Sequence, residues 1–204
     1  IPAYTATNLT NAPVTATVEV TATVNGCTGP ATTFFITVNP TPVVNTVSNA
    51  EYCNGASASS ITFSSPTSGG TVTYNWTSTA DVGFGTAGSG DIGAYIATNT
   101  GSSPVVATVS VSATVNGCTG PDMVFTVTVN PTPAATIAVT SPITCNGSTG
   151  EVTITPTVGT APFNFTFNGV TQVNNGVFTG ISAGTYAWYI EDANGCFSAT
   201  GSFE

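Results

Sequence analysis

The chain has 204 residues, nine Asp and Glu, and no Lys, Arg or His, so its formal net charge is −9. With 4% charged and 41% hydrophobic residues, it has the balance of a folded chain and not of an acidic disordered one. Without His, Lys or Arg it lacks Ser-His-Asp and Cys-His pairs, His-ligated zinc, a P-loop lysine and any cation to neutralise phosphates, which speaks against hydrolase chemistry, nucleotides and nucleic acid.

The opening Ile1-Pro2-Ala3-Tyr4 carries no initiator Met and no basic or apolar leader, and reads as an internal stretch of something longer. Val14, Ala16, Val18, Val20, Ala22 and Val24 alternate with Thr15, Thr17, Glu19, Thr21 and Thr23, a period of two that predicts a strand with one apolar face. Asn25-Gly26 then predicts a turn, and Asn39-Pro40-Thr41-Pro42 a stiff linker, because paired prolines cannot continue a central strand. The same order recurs from residue 92 to residue 133, at a constant offset of 91 and with about two thirds of positions identical, the signature of a tandem repeat. Phe125, Val127 and Val129 alternate with Thr126 and Thr128 after the turn-rich stretch Asn116–Pro121, which predicts a hairpin with the run from Val105 to Val115.

Boundaries placed after Pro42 and Pro133 give three parts. Residues 1–42 are the C-terminal half of one repeat, residues 43–133 a complete repeat, and residues 134–204 a third unit of different sequence. The third unit shares a Cys-Asn-Gly opening (Cys53-Asn54-Gly55, Cys145-Asn146-Gly147) and a late Asn-Gly-Cys motif with the second. No helix is expected; about a fifth of the chain is Thr, and β-branched residues suit strands. The fold class read from this is all-β: tandem immunoglobulin-like β-sandwich domains joined by short Pro-rich linkers, with Trp76 as the core aromatic of the complete repeat. No apolar run approaches the roughly 20 residues needed to cross a bilayer as a helix, so no membrane insertion is expected.

Two local patterns resemble modules of very large surface proteins of gliding Bacteroidetes. Thr144-Cys145-Asn146-Gly147, Ala183-Gly184-Thr185-Tyr186 and Glu191-Asp192-Ala193-Asn194-Gly195-Cys196 resemble an SprB-type adhesin repeat. Ala97-Thr98-Asn99, Val115 to Pro121 and Asn130-Pro131-Thr132-Pro133 resemble the PKD-like repeats that accompany it. After Tyr74-Asn75-Trp76 the acidic Gly-Asp-Gly turn of better-known PKD domains is missing, so the resemblance implies architecture and no site. It implies an exported, type IX-secreted, extracellular cell-surface adhesin or filament, non-enzymatic, serving attachment or gliding motility. Its partners would be neighbouring repeats of the same chain or filament subunits, and surface glycans.

Five cysteines beside turn residues fit an oxidising compartment better than a metal site. Pairing within each domain predicts Cys53–Cys118 and Cys145–Cys196, with Cys27 bonded outside the segment; pairing across the linkers predicts Cys27–Cys53 and Cys118–Cys145 instead. No cofactor is expected. Calcium is the one metal this composition could hold, with Asp81 and Asp91 flanking a glycine-rich loop and Glu191-Asp192 in a turn as candidates, against the simpler reading that such carboxylates make turns and keep the surface soluble. Asp81 with Asp91 could in principle meet the spacing of an acid pair for glycoside cleavage, but nine acids scattered over three domains make such coincidences cheap. A carbohydrate-binding module is the alternative function, with Tyr95 and Trp188 as candidate sugar-stacking faces, beside Tyr186 and Tyr189; core packing is the plainer role for all four.

Overall fold

A computed structural model describes residues 2–145 and 147–204; Ile1 and the central Asn146 of the second Cys-Asn-Gly motif lie outside the described residues. The regular elements are all strands: β1 (Val14–Val20), β2 (Thr23–Val24), β3 (Cys27–Thr28) and β4 (Thr32–Val38) in the first segment; β5 (Ala50–Cys53), β6 (Ser57–Ala58), β7 (Thr73–Ser78), β8 (Ala87–Ser89), β9 (Tyr95–Ile96), β10 (Val105–Val115), β11 (Cys118–Thr119) and β12 (Met123–Asn130) in the second unit; β13 (Ala134–Ser141), β14 (Gly150–Val158), β15 (Asn164–Phe167), β16 (Val170–Val173), β17 (Val177–Ile181), β18 (Tyr186–Glu191) and β19 (Gly201–Phe203) in the third. Among the described residues no strand pairing crosses Pro42 or Pro133.

The second unit is built on the alternation of β10. Val105, Ala107, Val109, Val111, Ala113 and Val115 point to one face, and all but the half-buried Val105 are fully buried. β10 pairs antiparallel with β12 on one side and β7 on the other, in the sheet order β5-β12-β10-β7-β8. The edge strand β5 runs parallel to β12, with Cys53 opposite Asn130. A thinner second sheet, β6 with β9 and the Ile61–Ile92 bridge, closes the sandwich. Between the two lie Phe63, Trp76, Ile92, Tyr95, Val109 and Phe125. Trp76 is in the core, on the second-last strand of its sheet. Asn116 (φ 48°) and Gly117 (φ 78°) both occupy the left-handed region required by a two-residue hairpin turn of the mirror-image type, which is why Asn-Gly stands there.

The third unit packs a three-stranded sheet, β13-β14-β17, on a four-stranded one, β16-β15-β18-β19. Val152, Ile154 and Phe178 from one meet Phe165, Phe167 and Ile190 from the other. The seven strands form the sandwich that alternating apolar and polar positions prescribe.

The first segment repeats half of the second unit down to its side-chain bonds. The Asn8 amide donates to the Ala12 and Val38 carbonyls, as the Asn99 amide does to Ser103 and Val129, 91 residues on. β1 pairs with β4 as β10 pairs with β12, yet the apolar face stays open: Phe34 is 39% exposed where its counterpart Phe125 is 2%, and Val20 is 51% exposed where Val111 is 0%. The covering residues of the second unit, Phe63, Trp76 and Val82, come from the stretch before residue 92 and have no counterpart in the first segment.

Matched truncations read this difference directly. Phe125→Ala removes a fully packed ring and should lower stability by about 3–5 kcal/mol, whereas Phe34→Ala should cost under about 1 kcal/mol; denaturant unfolding followed by far-UV circular dichroism, which sees the strands of both segments, gives both.

Candidate functional site

The feature that sets this chain apart is the joint between its second and third units. β12 runs into β13 through only Pro131, Thr132 and Pro133. Pro131 is among the most fully buried side chains, as are Pro40 and Pro42 of the other linker. A proline has a fixed φ and no N–H to satisfy, so it can be buried in a linker at little conformational cost. Asn54 fastens the linker to the second unit. Its N–H donates to the Asn130 carbonyl at 2.9 Å, its side-chain amide donates to the Thr132 hydroxyl at 2.9 Å, and its side-chain oxygen accepts the Asn99 N–H at 2.8 Å.

Beside it Cys53 forms a disulfide with Cys196 of the third unit, with Cα atoms 5.5 Å apart and a sequence separation of 143. This overturns both pairings expected from the sequence. Cys53 sits at the end of β5, opposite the last residue of β12, while Cys118 opens β11, directly after the hairpin turn and before the start of β12. Seven strand steps separate these two poles, about 24 Å, against the 4.4–6.8 Å between Cα atoms that a disulfide tolerates. Cys145 lies past the end of the eight-residue β13, likewise a strand length from the joint, whereas Cys196 lies at the joint. Cys27, Cys118 and Cys145 are free thiols, so Cys53–Cys118, Cys145–Cys196, Cys27–Cys53 and Cys118–Cys145 are all absent.

Cys196 is 1% exposed, and its turn is organised by Asp192, itself 4% exposed. Asp192 Oδ1 accepts the N–H groups of Asn194 and Cys196 at 3.0 and 3.1 Å, and Oδ2 accepts that of Thr160 at 3.1 Å. The carboxylate considered for calcium is thus spent on backbone donors. Its neighbour Glu191 accepts the Asn164 amide at 3.0 Å. Asp91 accepts the Phe63 N–H, and Asp81 caps its own loop by accepting from Gly83 and Gly85, both at 2.9 Å. Those two amides, Gly83 first, hold the Asp81 carboxyl below the usual carboxylate range. Among the described residues no three His, Cys, Asp or Glu side chains cluster as metal ligands would.

The aromatic candidates divide. Tyr95 is in the core of the second unit, edge-on to Tyr52 and Phe84, and burial followed by the nearby Tyr52 pushes its hydroxyl up to about 12; it presents no face to a sugar. Trp188 packs on the third unit's core beneath Gly201, where a Cβ would sit 2.6 Å from the indole. Tyr189 stacks edge-on against the exposed Phe197. Tyr186 instead lines an apolar groove of about 320 Å³ with Val139, Ile143, Ile181 and Phe203. This groove lies at the pole of the third unit away from the joint, beside Cys145. Sequence periodicity could not single it out, because its residues come from four separate stretches.

No family model matches the chain, and no curated protein does. Solved structures match in fold. The N-terminal eight immunoglobulin domains of Down syndrome cell adhesion molecule superpose with a TM-score of 0.50 at 12% identity, covering 85% of this chain and 29% of that one. The human desmocollin-1 ectodomain reaches 0.30 at 15% identity, over 94% and 43%. A Bacteroides ovatus mixed-linkage glucan-utilisation protein, SGBP-B, solved with a heptasaccharide, reaches 0.32 at 18% identity, over 80% and 47%. The chain thus spans less than a third of the cell adhesion structure it resembles, and the likeness establishes tandem immunoglobulin-like β-sandwiches.

Two outcomes follow from the carboxylates. Asp192→Ala orphans three backbone donors and should destabilise the third unit by about 2–5 kcal/mol in urea unfolding. A depressed folded-state pKa gives stability that is present above the unfolded value near 4 and is lost as pH falls through the folded one. The second unit should therefore weaken below about pH 4, and Asp81→Asn should flatten that decline in an acid titration of unfolding.

Proposed function

We propose that this chain is a non-enzymatic structural segment of a large extracellular adhesin, stalk or filament. Its repeats would hold an attachment or gliding surface away from the cell, as the SprB-type and PKD-like resemblance implies. The observation that supports this reading is the joint. A three-residue linker with buried prolines, an asparagine tie and a disulfide leave the second and third units little freedom to bend or separate.

The path of tension follows from the same geometry. A pull along the chain enters the second unit ahead of Cys53 and leaves the third after Cys196, so the bond passes it from one to the other without loading the residues between. Both sandwiches hang on a covalent bypass. The composition suits an exposed fibre in the same way, since a chain without Lys or Arg offers trypsin no cleavage site, and its acids lower the tendency to associate.

A second reading, a glycan-binding module, is favoured by one observation, the groove lined by Tyr186 and Phe203. Saturable binding across a glycan panel, lost in Tyr186→Ala with folding retained, would favour it over the structural reading.

The free thiols at Cys118 and Cys145, at opposite ends of the two-unit rod, supply spin-label sites in a Cys27→Ser chain. The distance between them should be a single narrow distribution in the oxidised protein, and broader when Cys53 and Cys196 are both changed to Ser. Equally broad distributions in the two proteins would mean a flexible hinge and would contradict the stalk reading.

A further inference from the structure

The cysteines fall into two kinds of turn, and each kind occupies one pole of its unit. In the first kind the cysteine opens a tight turn: the Ala56 N–H donates to the Cys53 carbonyl and the Ser148 N–H to the Cys145 carbonyl, both at 3.1 Å, with Gly55 and Gly147 at φ 84° and 81°. Both lie at the pole where the unit's last strand ends. Cys53 is beside Asn130 at the end of β12, and Cys145 lines a cavity with Ser182 and Ala183, residues that also line the groove reached by Phe203 at the end of β19. In the second kind the cysteine follows Asn-Gly at a hairpin tip. Cys27, Cys118 and Cys196 are of this kind, with Gly26, Gly117 and Gly195 at φ 82°, 78° and 72°; Cys118 and Cys196 lie at the pole facing the preceding part of the chain.

The joint after Pro133 is where the chain brings one kind of turn against the other, and there they are bonded. The joint after Pro42 is arranged alike but supplies one half. The Cys118 hairpin presses on the linker so closely that a Cβ on Gly120 would strike the Pro42 carbonyl. In the same way Pro133 abuts the Cys196 turn, its Cβ 3.3 Å from the position of a Cβ on Gly159, which is itself 3.3 Å from Asp192 Cβ. The first segment brings Asn39, the counterpart of Asn130, to this joint, but among the described residues no strand lies beside it carrying a counterpart of Cys53.

We infer that Cys118 and Cys145 are halves of further inter-unit disulfides that follow one rule: the Asn-Gly-Cys cysteine of each unit bonds to the Cys-Asn-Gly cysteine of the unit before it. The partner of Cys118 is a Cys-Asn-Gly strand laid beside Asn39; that of Cys145 is the Asn-Gly-Cys turn of a following unit seated on the groove pole. The inference rests on the tandem-repeat reading and adds the identity of the contacts between units. Each bond forms by exchange with a small disulfide oxidant such as oxidised glutathione. The first thiolate displaces one glutathione as thiol, the second attacks the mixed disulfide and displaces the other, and the two cysteine protons end on the two released thiols.

The test is a chain with residues 43–91 duplicated ahead of residue 1, which completes the first unit and supplies one more Cys-Asn-Gly cysteine. After oxidation with glutathione and peptic mapping, the added cysteine should be bonded to Cys118, leaving Cys27 and Cys145 as the two free thiols. Changing Cys118 to Ser in that chain should leave the added cysteine free. An added cysteine bonded to Cys27, or left free beside an intact Cys118, overturns the rule; the Cys53–Cys196 bond reports in each case that the later units have folded. The unaltered chain gives an independent reading: at high concentration in glutathione buffer, intermolecular Cys145–Cys27 bonds should clearly exceed Cys145–Cys145 and Cys27–Cys27 bonds taken together, and equality, which is what random pairing gives, overturns the rule as well. Failure of the rule with a narrow Cys118–Cys145 distance would leave the stalk reading standing.

Discussion

The bond between Cys53 and Cys196 is the constraint on which the relation of the units depends. A sandwich is held together by the burial of its own faces, and nothing in that burial fixes how one sandwich sits on the next. Here a cross-link closing 143 residues lowers the entropy of the unfolded chain by an amount worth about 5 kcal/mol in the chain-entropy account. Because the closed loop holds nearly all of the second and third units, that contribution belongs to both at once. The Asp192 carboxylate and the Asn54 amide are the local devices that present the two cysteines to each other.

A chain without a single basic side chain has no salt bridges between side chains, and its outer faces rely on hydroxyls. Thr15 faces Thr37, Thr23 faces Thr28, Thr114 faces Thr119 and Thr166 faces Thr171 on neighbouring strands, with oxygens 2.8–3.1 Å apart. Such cross-strand pairs contribute some tenths of a kcal/mol each, and they are uncharged, so salt does not screen them. The faces of the sandwiches are thereby kept polar without ion pairs, while the cysteines are placed in turns at the poles.

What could be read from the sequence was local. The alternation from Val105 to Val115, the Asn116-Gly117 turn and the prolines at 131 and 133 each depend on neighbours along the chain, and each stands where its pattern places it. Trp76 was legible as a core residue because a large aromatic in an alternating run is seldom left outside. The disulfide was not legible. The pole on which Cys53 lies is decided by the parallel pairing of β5 with β12, a contact between residues nearly 80 apart that leaves no periodic trace. Asp192 read as a turn former and proved to be one, accepting from Asn194 and Cys196 within its own turn, but its third backbone donor is Thr160, 32 residues away, which no spacing within residues 191–196 reveals. The groove at Tyr186 was hidden for the same reason.

The central claim is that tension passes across the joint through sulfur and spares the two sandwiches. Single-molecule extension by the two chain ends tests it directly. In the oxidised protein the residues between Cys53 and Cys196 should contribute nothing to the fully extended length. Reduction should then release 143 residue steps, roughly 470–510 Å at about 3.3–3.6 Å each. Equal extended lengths before and after reduction would contradict the account.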